Sequence, residues 1–221
     1  MTNIVNLTFP VTGNQLPADH NYRLYAAIAS KLPQLHDLQD LAINTITGIP
    51  DRQGIIELTR SSRLWMRLPV EAIAQVYQLA GETLQVGRHT IQLGNPELQT
   101  LKPIDTLKAR LVTIKGYTEP VPFLQAAQRQ LQTLNINANI GIPANHQGEP
   151  KRLTLTIHKP ERNYTIVGFS VVVSDLSPED SITLQIQGLG GKRRMGCGVF
   201  YPNLPVNRRS RGGQDAAATF S

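Results

Sequence analysis

Leu176-Ser177-Pro178-Glu179-Asp180-Ser181-Ile182-Thr183-Leu184-Gln185-Ile186 carries two competing secondary-structure signals, and the choice between them decides the fold. Ser177 is a favoured helix cap and Pro178 suits the first helical position. Glu179 and Asp180 set negative charge against the positive end of the helix dipole. The β-branched Ile182, Thr183 and Ile186 pull toward strand. The start signal and the Ile182–Ile186–Leu189 spacing decide for helix. With Phe200 and Tyr201 opening a closing strand, the second half then reads strand-helix-strand-strand-helix-strand.

The elements upstream fit that order. Thr106 to Lys115 reads as a strand, and Val121 to Leu134 as a helix with Leu124, Ala127 and Leu131 at helical spacing. Leu153 to His158 and Tyr164 to Val173 form a hairpin across Lys159 to Asn163. The first half repeats the pattern. Asn3 to Val11 alternates as a strand should, and Asp19 is placed to cap a helix from His20 to Lys31. Leu41 to Thr47, Gly54 to Thr59 and Arg63 to Leu68 look extended. A second helix is expected from Pro69 to Ala80, with Val70, Ile73, Ala74 and Tyr77 as its apolar stripe. Thr83 to Leu93 is a strand or hairpin turning near Gly87 and Arg88. The expected fold is therefore α+β, two tandem ferredoxin-like (RRM-like, βαββαβ) domains. Their limits are residues 1–102 and 103–206, and 207–221 form a poorly ordered basic tail rich in Gly, Ser, Ala and Arg.

Composition narrows the function classes. The 221 residues are 40% hydrophobic, enough to build a core, and no run of 18 or more apolar residues suggests a membrane span. The start of the chain shows no basic, apolar leader, so a cytoplasmic protein with no membrane partner is expected. The single cysteine, Cys197, allows neither an intrachain disulfide nor a multi-cysteine zinc site. No His-x-x-x-His pair argues for a metal, and no cofactor is expected. Lys and Arg outnumber Asp and Glu by 22 to 16, which suits a polyanionic partner. The excess concentrates late in the chain, at Lys192, Arg193 and Arg194 and again at Arg208, Arg209 and Arg211.

Gly188-Leu189-Gly190-Gly191-Lys192-Arg193-Arg194-Met195-Gly196-Cys197-Gly198 interleaves glycines with cations. Glycines allow close backbone approach, and cations with free N–H groups suit phosphates. The loop runs from helix to strand and lacks a Gly-Lys-Ser/Thr ending, unlike a nucleotide-binding P-loop. A flexible, solvated connection is the plainer alternative. Arg63-Leu64-Trp65-Met66-Arg67 offers a second candidate, with Trp65 as either a base-stacking platform or a half-buried core residue.

The pattern Gly-x-Gly, five residues, Gly-x-Gly resembles the signature of repeat-associated RNA-binding CRISPR proteins, the RAMP superfamily. The stretch from Leu176 through Gly190 to Pro202 resembles the C-terminal end of their repeat-processing Cas6 endoribonucleases, particularly the MYXAN subtype. Leu16-Pro17-Ala18-Asp19-His20-Asn21-Tyr22-Arg23-Leu24-Tyr25-Ala26-Ala27 resembles their first helix, and so does Leu32-Pro33-Gln34-Leu35-His36. The resemblance implies two ferredoxin-like domains, repeat RNA (and the crRNA made from it) as partner, subunits of a CRISPR effector complex as further partners, and a catalytic histidine in or near the first helix.

RNA is cut without metal when its own 2′-hydroxyl attacks the adjacent phosphate, and a histidine suits the proton transfer. His20 is the first choice. In the first turn of a helix the macrodipole favours the neutral imidazole, and free N–H groups there suit a phosphate. Its four-residue spacing to Leu24 and Ile28 equally suits a packed histidine. His36, after Leu32-Pro33 and before Asp37, is the runner-up. Tyr22, Arg23 and Lys31 are possible supports in or beside the same helix. Gly188, Gly190, Gly191, Lys192, Arg193, Arg194, Gly196 and Gly198 are the expected RNA-binding residues. A non-cleaving RNA-binding subunit of the same fold, and an unrelated basic two-domain protein, are the alternatives.

Overall fold

The computed structural model describes residues 3–203 except 39, 52, 159 and 160. In chain order the first half contains β1 (Ile4–Thr12), β2 (Gln15–Pro17), α1 (Asn21–Lys31), β3 (Ala42–Ile43), β4 (Ile49–Pro50), β5 (Ile55–Glu57), β6 (Arg63–Pro69), α2 (Ile73–Tyr77), β7 (Thr83–Val86), β8 (His89–Leu93) and β9 (Glu97–Thr100). The second half contains β10 (Leu107–Val112), α3 (Pro120–Thr133), β11 (Asn139–Gly141), β12 (Arg152–His158), β13 (Asn163–Ser174), α4 (Pro178–Gln187) and β14 (Tyr201–Pro202). The expected tail from Asn207 onward lies outside the described residues.

Each half builds a main antiparallel sheet with the same topology. In the first, β3, β6, β1 and β9 lie side by side, the order 2-3-1-4 of a ferredoxin-like βαββαβ unit. The β7–β8 hairpin adds to the end of β1, where Val11 faces Leu93. In the second, β11, β13, β10 and β14 repeat that order, and β12 pairs along the outer part of β13. The tandem ferredoxin-like fold is thus present. β2, β5 and β4 form a small separate sheet.

Sequence periodicity explains the helices. Leu24 and Ile28 of α1 are buried with Leu7, Phe9 and Val76, and α1 stops at Leu32 because Pro33 disfavours helical geometry before it. Phe123, Ala127 and Leu131 of α3 enter the second core, where Phe123 packs 4.8 Å from Phe169 between ring centroids. α4 starts as its sequence dictates: Ser177 Oγ accepts the Asp180 N–H at 3.1 Å, and Pro178 occupies the first turn.

Several expectations need correction. The buried face of α4 is Ser181, Leu184 and Gln185. It lies one residue out of phase with the Ile182–Ile186 stripe because its polar side chains hold the segment joining the halves. Ser181 Oγ donates to Ile104 O, and Gln185 Nε2 donates to Lys102 O. The Pro69–Ala80 helix is a 3-10 turn, Val70–Ala72, followed by the short α2. The tighter start shifts the phase, so Ala72, Val76 and Leu79 are buried while Val70 and Tyr77 are exposed. Thr83 to Leu93 is a hairpin, and the strand closing the first unit is β9, whose four residues are all exposed and show no apolar alternation. The three-residue β11 was too short to register. Asp19 does not cap α1; its Oδ2 accepts the Thr156 N–H of β12 at 2.8 Å, across to the other half.

Candidate active site at the junction of the two halves

The glycine-rich loop is a packed element. Leu189, Cys197 and Val199 are buried, and Gly188 and Gly198 cross so closely that a Cβ on Gly198 would lie 2.0 Å from Leu189 O. At φ +66° only glycine fits there without strain. Gly190 donates its N–H to Gln130 Oε1 at 2.7 Å, and Gly191 donates to Thr113 O at 3.0 Å. Gly196 meets the first half: a Cβ there would lie about 3.1–3.2 Å from Asn21 Nδ2, Ile43 O and Thr45. The bland reading of a flexible connection does not hold.

The three cations of the loop have different tasks. Arg193 turns inward, donating to Ile186 O near the end of α4, and its burial lowers its pKa. Arg194 crosses to the first half and donates to His36 O at 3.1 Å and to Leu38 O. Lys192 is exposed, with no hydrogen bond or ion pair to its ammonium among the described residues, and it borders a groove of about 760 Å³ shared with Lys115, Gln130, Gly190 and Gly191. Of the three cations expected to bind RNA, Arg193 and Arg194 are engaged with backbone carbonyls and Lys192 is the exposed one.

His20, the first-choice histidine, lies inside the protein. It is 1% exposed. Its Nδ1 donates to Pro17 O at 2.7 Å and its Nε2 accepts the Ile46 N–H at 3.0 Å, so both ring nitrogens are occupied and the tautomer is set. Burial pushes its pKa down to about 4, the Arg110 guanidinium adds to this, and the Pro17 carbonyl and Asp19 oppose it. The start of α1 is covered by the second half, which sequence spacing alone does not reveal. Arg110 donates to Ala18 O at 3.1 Å, and Asn21 Nδ2 donates to Met195 O at 2.6 Å.

His36 is exposed at the end of the 3-10 turn Pro33–His36. Its Nδ1 is 2.8 Å from Tyr25 Oη, and the two rings meet edge to face at 5.8 Å. No other side chain among the described residues engages the imidazole, so Nε2 is available to a ligand. Tyr25 escaped the sequence reading. The signal for it was the Leu32-Pro33 stop, which reverses the chain and lays His36 back over α1. The expected supports have partners of their own. Lys31 pairs with Glu82 at 2.7 Å, Arg23 lies against Gly87, and Tyr22 packs beside Leu155 and Cys197 with its ring 6.4 Å from His158. Cys197 is fully buried, and burial raises its thiol pKa to about 11. Trp65 is half-buried, lining a cavity of about 630 Å³ with Asn6, Leu98, Lys102 and Gln185.

A loop of this kind, docked beside an accessible histidine on two ferredoxin-like units, directs comparison with known proteins. The Cas6 CRISPR family model matches residues 5–204. The chain belongs to the Cas6 family. It is 35% identical over 198 residues to the CRISPR-associated endonuclease Cas6 of Myxococcus xanthus (strain DK1622), covering 90% of this chain and 81% of that protein. Among solved structures, a CRISPR-associated Cas6 protein superposes with a TM-score of 0.58 at 13% identity, covering 91% of this chain and 99% of that one. A Cas6-related protein from Pyrococcus furiosus gives 0.58 at 14%, covering 91% and 98%. A RAMP protein described as binding different RNA substrates gives 0.56 at 14%, covering 90% and 98%. At these identities the structural likenesses concern the fold, and it is the family's tandem fold. Among the described residues no helix is long and apolar enough to cross a membrane.

Proposed function

We propose that this Cas6-family chain binds the repeat of precursor CRISPR RNA and cleaves it, without a metal, by attack of a 2′-hydroxyl on the adjacent phosphate, with His36 as the proton-transferring residue. The observation that carries the assignment is the exposed His36 imidazole, held by Tyr25 at one nitrogen and open at the other. Nε2 removes the 2′-hydroxyl proton, the 2′-oxygen bonds to phosphorus, and the bond from phosphorus to the 5′-oxygen breaks. The departing oxygen takes up a proton, leaving a 2′,3′-cyclic phosphate and a 5′-hydroxyl. A tyrosine hydroxyl both donates and accepts, so it accepts from Nδ1–H in the neutral imidazole and in the imidazolium alike. The Tyr25 contact thus survives the proton transfer and keeps the ring in place. Lys192 and the groove beside the glycine-rich loop suit the phosphate backbone. The same reading places the protein in the cytoplasm, with subunits of a CRISPR effector complex as further partners.

The test is incubation with the adjacent repeat RNA in EDTA, with a 2′-deoxy sugar at the cut site as control. Cleavage at one site, abolished by the deoxy sugar, is expected. The variant His36→Ala should cut roughly 10²–10⁴-fold more slowly with nearly unchanged RNA affinity. Full activity in that variant refutes the assignment, and tight binding without cleavage by the unaltered protein makes it a non-cleaving RNA-binding subunit.

A further inference from the structure

We infer that Arg194 is a positioning residue for cleavage: the second half of the chain reaches across through this one guanidinium to hold the His36 turn in its working geometry. The inference rests on the assignment of His36 above.

His36 ends a short 3-10 turn, and the last carbonyls of such a turn have no partner within it. At the two ends of the turn Leu35 N–H donates to Leu32 O and Asp37 N–H to Gln34 O. Arg194 fills the gap, donating through one terminal nitrogen to His36 O and through the other to Leu38 O. A guanidinium presents its donors in a rigid planar fork, so two carbonyls two residues apart are held at a set separation. The fork itself is anchored. Its neighbour Met195 accepts from Asn21 Nδ2, Gly196 packs against Ile43 O, and Arg193 is tied to Ile186 O at the end of α4. The His36 imidazole is therefore held from two sides, by Tyr25 on its side chain and by Arg194 on its backbone. Catalytic geometry needs placement within a fraction of an ångström, which an exposed turn does not supply unaided.

This role separates from that of a phosphate ligand. An arginine spent on two carbonyls contributes little to RNA affinity, whereas a phosphate contact contributes to affinity and to its salt dependence. The experiment is single-turnover cleavage at saturating protein, beside RNA affinity measured across a salt series, for the unaltered protein, Arg194→Met, Arg194→Lys and His36→Ala. The expected result for Arg194→Met is a 10- to 100-fold lower saturated rate (roughly the effect of a misplaced reacting group) with affinity within threefold and an unchanged salt slope. Arg194→Lys, which keeps the charge and loses the fork, should recover only part of that rate. Weaker binding with a flattened salt slope and an unchanged saturated rate would make Arg194 an RNA ligand and overturn the inference. An unaltered rate in Arg194→Met would also overturn it, provided His36→Ala is inactive; activity in His36→Ala defeats the underlying assignment instead. Should Arg194→Met fail to fold by circular dichroism, Asn21→Ala, which frees the Met195 carbonyl of the same loop, supplies the test. It is expected to lower the saturated rate without changing affinity, and an unaltered rate there counts against the inference.

Discussion

Two histidines sixteen residues apart have opposite fates, and the difference is one of partners. His20 has both nitrogens bonded inside the protein; His36 has one bonded and one open. Burial has a measurable consequence at His20. The unfolded imidazole takes up a proton near pH 6.5 and the folded one near 4, so between those values the unfolded chain binds more protons. Stability should therefore be full above pH 6.5, fall as pH drops toward 4 and level off below, by about 3 kcal/mol in all from this group. Denaturant unfolding at a series of pH values should show the fall, and His20→Gln, less stable at pH 7, should show a shallower one. A second residue-scale expectation concerns Lys192. Lys192→Gln should flatten the salt dependence of RNA binding by about 0.7–0.9, one phosphate contact's worth. An unchanged slope would remove Lys192 from the interface.

At the scale of elements, the glycine-rich loop behaves as a rigid bracket. It ends α4 at Gly188, crosses itself at Gly198 and docks a 3-10 turn, Arg193–Met195, between α1 and β3. Gly198→Ala should lower stability by at least the roughly 1–2 kcal/mol of a left-handed non-glycine residue, because the added Cβ also strikes Leu189 O. A melting temperature equal to that of the unaltered protein would show that the crossing relaxes freely. The elements also show what was legible. Ser177-Pro178-Glu179-Asp180 announced α4, and Leu124, Ala127 and Leu131 announced α3, because caps and periodicity are local properties. β9 and β11 went unseen because they are short and are defined by the strands they pair with. The loop was recognised as functional from its glycines and cations, but the division of labour among Lys192, Arg193 and Arg194 was not, since each side chain's partner lies far away in sequence.

Across the whole molecule, the two sheets are joined by buried polar contacts as well as by apolar packing. Arg67 of β6 is 3% exposed, and it donates to Asn6 Oδ1, to Gln185 O and to Phe200 O, so one side chain of the first half caps carbonyls of the second. Burial lowers its pKa to about 9, with neighbouring Arg193 contributing, which still leaves it charged at neutral pH. Arg67→Ala would strand those acceptors in the interior and open a cavity. It should destabilise the protein by about 3 kcal/mol or more and increase proteolysis between the halves, at the 101–106 segment. Unchanged stability and protease resistance would show the halves to be held by other contacts.

By itself the sequence determined the class of the protein: caps, periodicities and turn residues act within a few positions, and they specified most helices, several strands and hence the repeated βαββαβ order. The glycine–cation pattern specified the family for the same reason, being contiguous. The proposed active-site assignment rests on the tertiary structure. Whether a histidine faces solvent or core depends on what the other half of the chain lays over it. Chain reversal within the first half brings His36 to Tyr25 and His20 to Pro17 O and the Ile46 N–H, while the contacts of Arg110 with Ala18, Asn21 with Met195 and Arg194 with His36 exist only once the two units have docked.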